Sequence, residues 1–231
     1  MSERVQEVGT QGPGEASARL RGSFLGFVAH EVRNPLSTAL WSAELLARLP
    51  AEERSGPRGD QLAGMCLRAL KRLRILVEDH FLAERLDASG LPIRCDAVPV
   101  REVIGASQAK VESAGLSIEV EEGFTIFTDG GLFERAIDGL IAVAGRGDVP
   151  VHLHAAREGD SVVVRVRGCP PEPGALDLPH KGTASDPTGR GLALHMVQRV
   201  ARALGGSLST SPHEYLLSLP LSSGNDPGAS G

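Results

Sequence analysis

Cysteine is scarce and scattered: Cys66, Cys95 and Cys169 are odd in number and far apart, with no CxxC and no Cys/His zinc spacing. That pattern excludes a disulfide framework and a structural zinc site, and leaves three thiols expected to be buried or half-buried. Positive charge is short as well. With 24 basic against 29 acidic side chains the formal net charge is −5, which argues against a nucleic-acid binder held by counterion release. No apolar run approaches the roughly 18 to 20 residues that span a bilayer, and the opening stretch MSERVQEVGTQGPGEASARL is too polar for a secretory signal. These absences predict a cytoplasmic protein that works away from membranes and nucleic acid. Asparagine occurs only at Asn34 and Asn225, which limits the ligands the chain can offer.

What is present is enough chain, 231 residues, for one or two domains with real cores. Residues 1–16 are Gly- and Glu-rich without an apolar period, and 222–231 read SSGNDPGASG; both are expected to be disordered. Between them lie a Leu-, Ala- and Arg-rich block over 17–90 and a β-branched, Gly/Pro-punctuated block over 91–221. The expected class is α + α/β.

In the first block, a helical projection from His30 puts Leu25, Val28, Val32, Leu36, Ala39, Ala43 and Leu46 on the opposite side. Ser23, Gly26, Asn34, Ser37 and Trp41 share the His30 side. The return helix is expected to begin after Gly56-Pro57, capped by Asp60, with a coiled-coil seam at Leu62, Cys66, Ala69, Leu73, Leu76 and His80. One hairpin cannot cover all its apolar surface, so two chains pairing as a four-helix bundle are expected. The second block predicts helices near 100–114, 132–144 and 191–204, with strands at 117–121, 124–128, around the Glu-Gly-Asp turn of 151–168, and at SLSTS and YLLSLPL. That order predicts a sheet backed on one face by helices.

Chemistry concentrates in Phe24-Leu-Gly-Phe-Val-Ala-His30-Glu31-Val-Arg-Asn34-Pro35-Leu36. A neutral imidazole is a nucleophile near neutral pH, and a neighbouring carboxylate can fix its tautomer or take its proton. Asn34, four residues on, reaches the same space and can orient a water or a phosphoryl oxygen. Pro35 removes one helix hydrogen bond just past His30. The other histidines carry less: His152 and His154 share a strand face without a third ligand, so no metal site is expected, and His80 falls on the seam. Trp41, exposed on the His30 face, suits either a docking partner or bundle packing.

This segment closely resembles the H-box of the sensor histidine kinases of two-component signalling, matching at Phe24, His30, Glu31, Asn34, Pro35 and Leu36. The resemblance runs through the second block, in the order of that family's ATP-binding domain. It implies a helical hairpin forming a dimeric four-helix bundle, followed by a Bergerat-like α/β sandwich. It also implies that His30 is the phosphoacceptor, Glu31 its acid/base partner, and Asn34 the residue that assists dephosphorylation of a partner.

The ATP half departs from the family pattern. Thr128-Asp129-Gly-Gly-Leu-Phe-Glu-Arg135-Ala-Ile137 fits the lead into the N-box, but the two asparagine positions are Gly139 and Val143. The G1 box should present an Asp in D-x-G-x-G; after the strand at 161–167 this chain has Gly168-Cys-Pro-Pro-Glu-Pro-Gly174. Only the G2 box persists, as Thr188-Gly189-Arg190-Gly191-Leu192-Ala-Leu194, where Gly189 and Gly191 would place backbone N–H groups around phosphates. No tightly bound cofactor is expected, and ATP with magnesium lacks its ligands. The expected function is phosphoryl exchange on His30 with the receiver domains of response regulators, without ATP, by a homodimer with no sensor domain. The alternatives are an ATP-dependent histidine kinase and a response-regulator phosphatase or docking module.

Overall fold

The computed structural model describes residues 13–88, 91–108, 115–145, 149–176 and 190–221, with side chains from Ala29 onward except those of 30, 108 and 190. Helix α1 covers Pro13–Arg48, α2 is one turn over Ala51–Arg54, and α3 covers Pro57–Asp87. Two expectations shift here. Helix α1 starts at Pro13, inside the stretch read as disordered, and α3 starts at Pro57 itself, which leaves Asp60 in its first turn instead of capping it. Both are the same physics: proline's fixed φ and missing N–H suit the first turn of a helix, so Pro13 and Pro57 open these helices. Between them Arg54 reaches back, its Nη2 donating to the carbonyls of Leu49 at 2.9 Å and Ala47 at 3.2 Å. Those are α1's terminal acceptors, and the cationic fork satisfies them.

The chain divides into two compact units, and the division falls within α3, between Ala69 and Leu70. In the first unit α1 buries Pro35, Ala39 and Ser42, a stripe at helical spacing. A second stripe, Leu36, Leu40, Ala43 and Ala47, is exposed. Helix α3 repeats the arrangement. Leu62, Ala69, Leu76 and Ala83 are buried at heptad spacing, whereas Leu67, Leu70, Val77 and Phe81 are exposed, Phe81 to 63%.

In the second unit, strands β1 (Asp96–Pro99) and β3 (Thr125–Thr128) form an antiparallel ribbon, and β2 (Leu116–Val120), β4 (Val151–Glu158), β5 (Ser161–Arg167), β6 (Ser207–Ser211) and β7 (Glu214–Pro220) form a sheet ordered β2-β4-β5-β7-β6. Only β2 and β4 run parallel. A single sheet including 124–128 was expected. Strand β1 lacks the alternating apolar pattern that makes a strand legible, and its pairing takes β3 out of the main sheet. Helices α4 (Val100–Gln108), α5 (Gly130–Ala144) and α6 (Arg190–Ala203) supply the other layer. Val100, Ile104, Phe133, Ile137, Leu140, Ile141, Val197 and Val200 pack with Leu153, Val162, Val164, Val166, Tyr215 and Leu217 in one hydrophobic core. The alternation along β5 and β7 is why the helices gather on one face: every second residue is apolar and buried. The opposite face is a cross-strand ladder, Ser117–His152–Arg167–Glu214, in which Ser117 Oγ and His152 Nδ1 lie 2.6 Å apart and Arg167 Nε donates to Glu214 at 2.8 Å. His154 stands on the same face, beside Glu119 and Arg165.

Candidate functional site

Helix α1 carries His30, Glu31 and Asn34 within one turn and a half. The side chain of His30 lies outside the described residues, as does Gly189. Glu31 is 1% exposed, so the carboxyl expected beside a solvent-facing imidazole is instead on the buried stripe. The reason is angular: adjacent helix residues point about 100° apart, which carries Glu31 off the face of residue 30. Asn34 is half-buried, and its carbonyl accepts from Thr38 Oγ1 at 3.1 Å. Pro35 is buried inside the helix and has no N–H for the Glu31 carbonyl. One turn beyond, Ser37 is exposed, and Trp41 follows at 54% exposure.

In the α/β unit, α5 begins at a true cap: Asp129 Oδ1 accepts from Leu132 N at 3.1 Å, and Oδ2 from Arg94 N at 3.0 Å. Gly139, on the α5 face toward α6, is packed so closely that a Cβ there would meet Val197 Cγ2 at 2.8 Å. Val143 is 1% exposed. Gly168, just after β5, lies against the end of α5: a Cβ would meet the Ala144 carbonyl oxygen at 2.5 Å, and Cys169 N donates to that same oxygen at 2.7 Å. Beyond it, Ala175 and Leu176 pack against the core, and Leu176 O accepts from Gln198 Nε2 of α6 at 3.1 Å. Gly191, the second residue of α6, is half-buried. Among the described residues no three His, Cys, Asp or Glu side chains converge to hold a metal ion. Cys66, Cys95 and Cys169 are half-buried free thiols.

Two titratable groups have no role assigned from the sequence. Asp79 of α3 is buried and accepts from Arg135 of α5, with Arg135 Nε at 2.8 Å from Oδ1. Burial raises the Asp79 pKa above the usual aspartate value, against the opposing pull of Arg135. His195 of α6 has its pKa pushed down to about 4, first by burial and then by Arg199 and Arg202. Asp79 had no signal in the sequence, because an ion pair across 56 residues leaves no periodic trace, and the burial of His195 is set by packing that spacing does not encode.

Comparison with known proteins places these features in a class. Residues 20–89, which hold α1 and α3 around His30, match the His Kinase A (phospho-acceptor) domain family. The sensor histidine kinase MtrB of Mycolicibacterium paratuberculosis is 28% identical over 200 residues, covering 78% of this chain and 35% of that protein. The sensor protein CutS of Streptomyces coelicolor is 29% identical over 210 residues, covering 83% of this chain and 49% of that protein. Among solved structures, the Acinetobacter baumannii histidine kinase AdeS aligns with a TM-score of 0.58 at 16% identity, covering 84% of this chain and 98% of that one. Histidine kinase ThkA, solved in complex with response regulator protein TrrA, aligns at 0.55 and 14% identity, covering 90% of this chain and 64% of that one. A phospho-acceptor helical region followed by a histidine-kinase-type α/β domain is the class that sequence and fold define. Residues 20–89 carry the phospho-acceptor domain, and the chain as a whole is similar to two-component sensor histidine kinases; it spans less than half the length of the curated relatives it matches. Among the described residues no helix is long and apolar enough to cross a membrane.

Proposed function

We propose that this chain is a histidine phosphotransferase: His30 takes a phosphoryl group from the aspartyl phosphate of one response-regulator receiver domain and passes it to the aspartate of another, without ATP. The observation that carries this reading is an intact acceptor segment on α1 beside an α/β unit in which Gly139 and Gly168 have no room for a side chain. A magnesium nucleotide needs an oxygen ligand for the metal and an acceptor for the base. Gly139, Val143 and Gly168 stand where the family's N-box asparagines and G1 aspartate would be, and none of the three carries a polar side-chain atom. The residues present do not fit the group, and no step is routed through it.

In the proposed reaction a ring nitrogen of neutral His30 attacks the phosphorus of the acyl phosphate. The P–O bond to the aspartate breaks, the carboxylate leaves with its electron pair, and the imidazole keeps its other N–H. The return step reverses this with the second receiver's carboxylate. Phosphohistidine and acyl phosphate are both high-energy, so positioning and charge neutralisation suffice. Glu31 would have to turn from the buried stripe to hold the tautomer of His30 or take its proton, and Asn34 would place water for loss of the label. Ser37 and Trp41 would meet the receiver, the small residue nearer His30. The solved ThkA–TrrA complex supports a receiver as partner by analogy of fold. The exposed stripes Leu36–Leu40–Ala43–Ala47 and Leu67–Leu70–Val77–Phe81 support a homodimeric four-helix bundle, since an isolated chain would leave both in water.

The test is a receiver domain carrying phosphoryl label, mixed with this protein in the absence of nucleotide. Label should move to the wild type and not to His30→Gln, while Asn34→Ala should retain label longer. Failure of every receiver of the source cell to exchange label would overturn the proposal. The second reading is an ATP-dependent histidine kinase, favoured by the names of the relatives. Calorimetry with Mg-ATP separates the two: binding weaker than about 1 mM, roughly −4 kcal/mol, fits the phosphotransferase, and micromolar binding fits the kinase.

A further inference from the structure

The last turns of α3 are built into the α/β unit. Leu82 and Leu86 pack against its hydrophobic core, and Ala83 between them is 2% exposed. Polar grips flank this apolar contact on the same stripe, at residues 79, 83 and 87. Arg135 of α5 forks onto Asp79, whose side chain is only 7% exposed, and its Nη2 lies 4.0 Å from Glu78. Arg199 of α6 pairs with Asp87 and donates from Nη1 to the Ala83 carbonyl at 3.4 Å. Two different helices of the α/β unit therefore hold one helix on both sides of the contact.

We propose that Arg135–Asp79 and Arg199–Asp87 form a latch that makes the second half of α3 and the α/β unit one rigid body. An α/β domain that delivers a phosphoryl group must be free to travel on its linker. A domain latched to the helix moves only as the helix moves, and any twist of α3 reaches α5 and α6 directly. The ion pair suits this role because Asp79 is buried and both Arg135 donors, Nε and Nη2, meet its Oδ1, so separation takes both from a buried carboxyl at once. The latch does not depend on the phosphotransfer reading, since its test measures geometry and not label.

The test uses the full-length chain with its cysteines replaced and nitroxide labels at the exposed positions Arg85 and Glu122, diluted with unlabelled protein so that only distances within one chain are counted. One narrow distance is expected, unmoved by Mg-ATP or by a phosphorylated receiver. A broad or two-peaked distribution in the wild type overturns the latch. Hydrogen exchange supplies the variant arm. Asp79→Asn and Arg135→Gln should each speed exchange of the amides of 79–88 by at least about tenfold, and the double variant should be no worse than the worse single. Effects that simply multiply would show the pair is not coupled, and would overturn the proposal even if the distance stayed narrow.

Discussion

The acceptor helix and the α/β unit have kept different things. Around His30 the helix keeps the residues of the proposed chemistry, Glu31, Asn34 and Pro35, although Pro35 costs the helix a hydrogen bond and Glu31 is a buried carboxyl. The α/β unit retains what packing needs: its core is hydrophobic and continuous, and glycines at 139 and 168 let α5 approach α6 and the end of β5. The comparison teaches that this α/β fold closes tightly around glycines at 139 and 168, so the core is filled by neighbours and not by side chains at those positions.

The strongest break of this comparison is at the exposed stripe of the helical part. Leu70→Glu puts a carboxylate from each chain into the surface expected to pair, and should raise the dimer dissociation constant by at least about a hundredfold. Light scattering across a concentration series checks it; a dimer that persists would mean this stripe is not the interface. Next is the α/β unit. Gly139→Asn restores a family ligand type but drives a Cβ to 2.8 Å from Val197 Cγ2. It should lower stability by about 1–3 kcal/mol without creating Mg-ATP affinity. Tight nucleotide binding by this variant would mean the pocket was stripped and not closed. Thermal melting and calorimetry read the two halves of that prediction.

A smaller effect concerns His195, whose folded pKa of about 4 lies below its ordinary 6.5. The unfolded chain binds a proton there that the folded chain refuses. Stability should therefore fall as pH drops from about 6.5 towards 4, and His195→Leu should flatten that part of the stability–pH curve. An unchanged slope would show that the imidazole accepts its proton without unfolding. The smallest effect is at Ser42 of α1, fully buried with no hydrogen-bond partner for its Oγ among the described residues. Ser42→Ala should stabilise the helical part by up to about 1 kcal/mol, read from denaturant midpoints at constant slope. A destabilised variant would mean the hydroxyl has a partner in the dimer.

Much of the fold was legible because its signals are local and periodic. The alternation in VVVRVR, the Glu-Gly-Asp turn around Gly159 at φ +60° and the apolar face of α5 each announce their element within a few residues. Strand β1 was missed because Asp96–Pro99 has no such pattern and exists only through its partner β3. At the candidate site, residue type singles out His30, Glu31 and Asn34, but the burial of Glu31 follows from helix rotation and packing that no motif encodes.

The sequence by itself determined the class of elements, the acceptor segment and the missing asparagines, since these are properties of residue identity and short-range spacing. Only the tertiary structure decided that Gly139 and Gly168 are closed positions and not empty ones, because closeness to Val197 and Ala144 is a matter of helices brought together in space. It decided as well that α3 ends inside the α/β unit. A charge such as Asp79 reads as a solvated surface group until Arg135, 56 residues away, comes to meet it in a place where water does not.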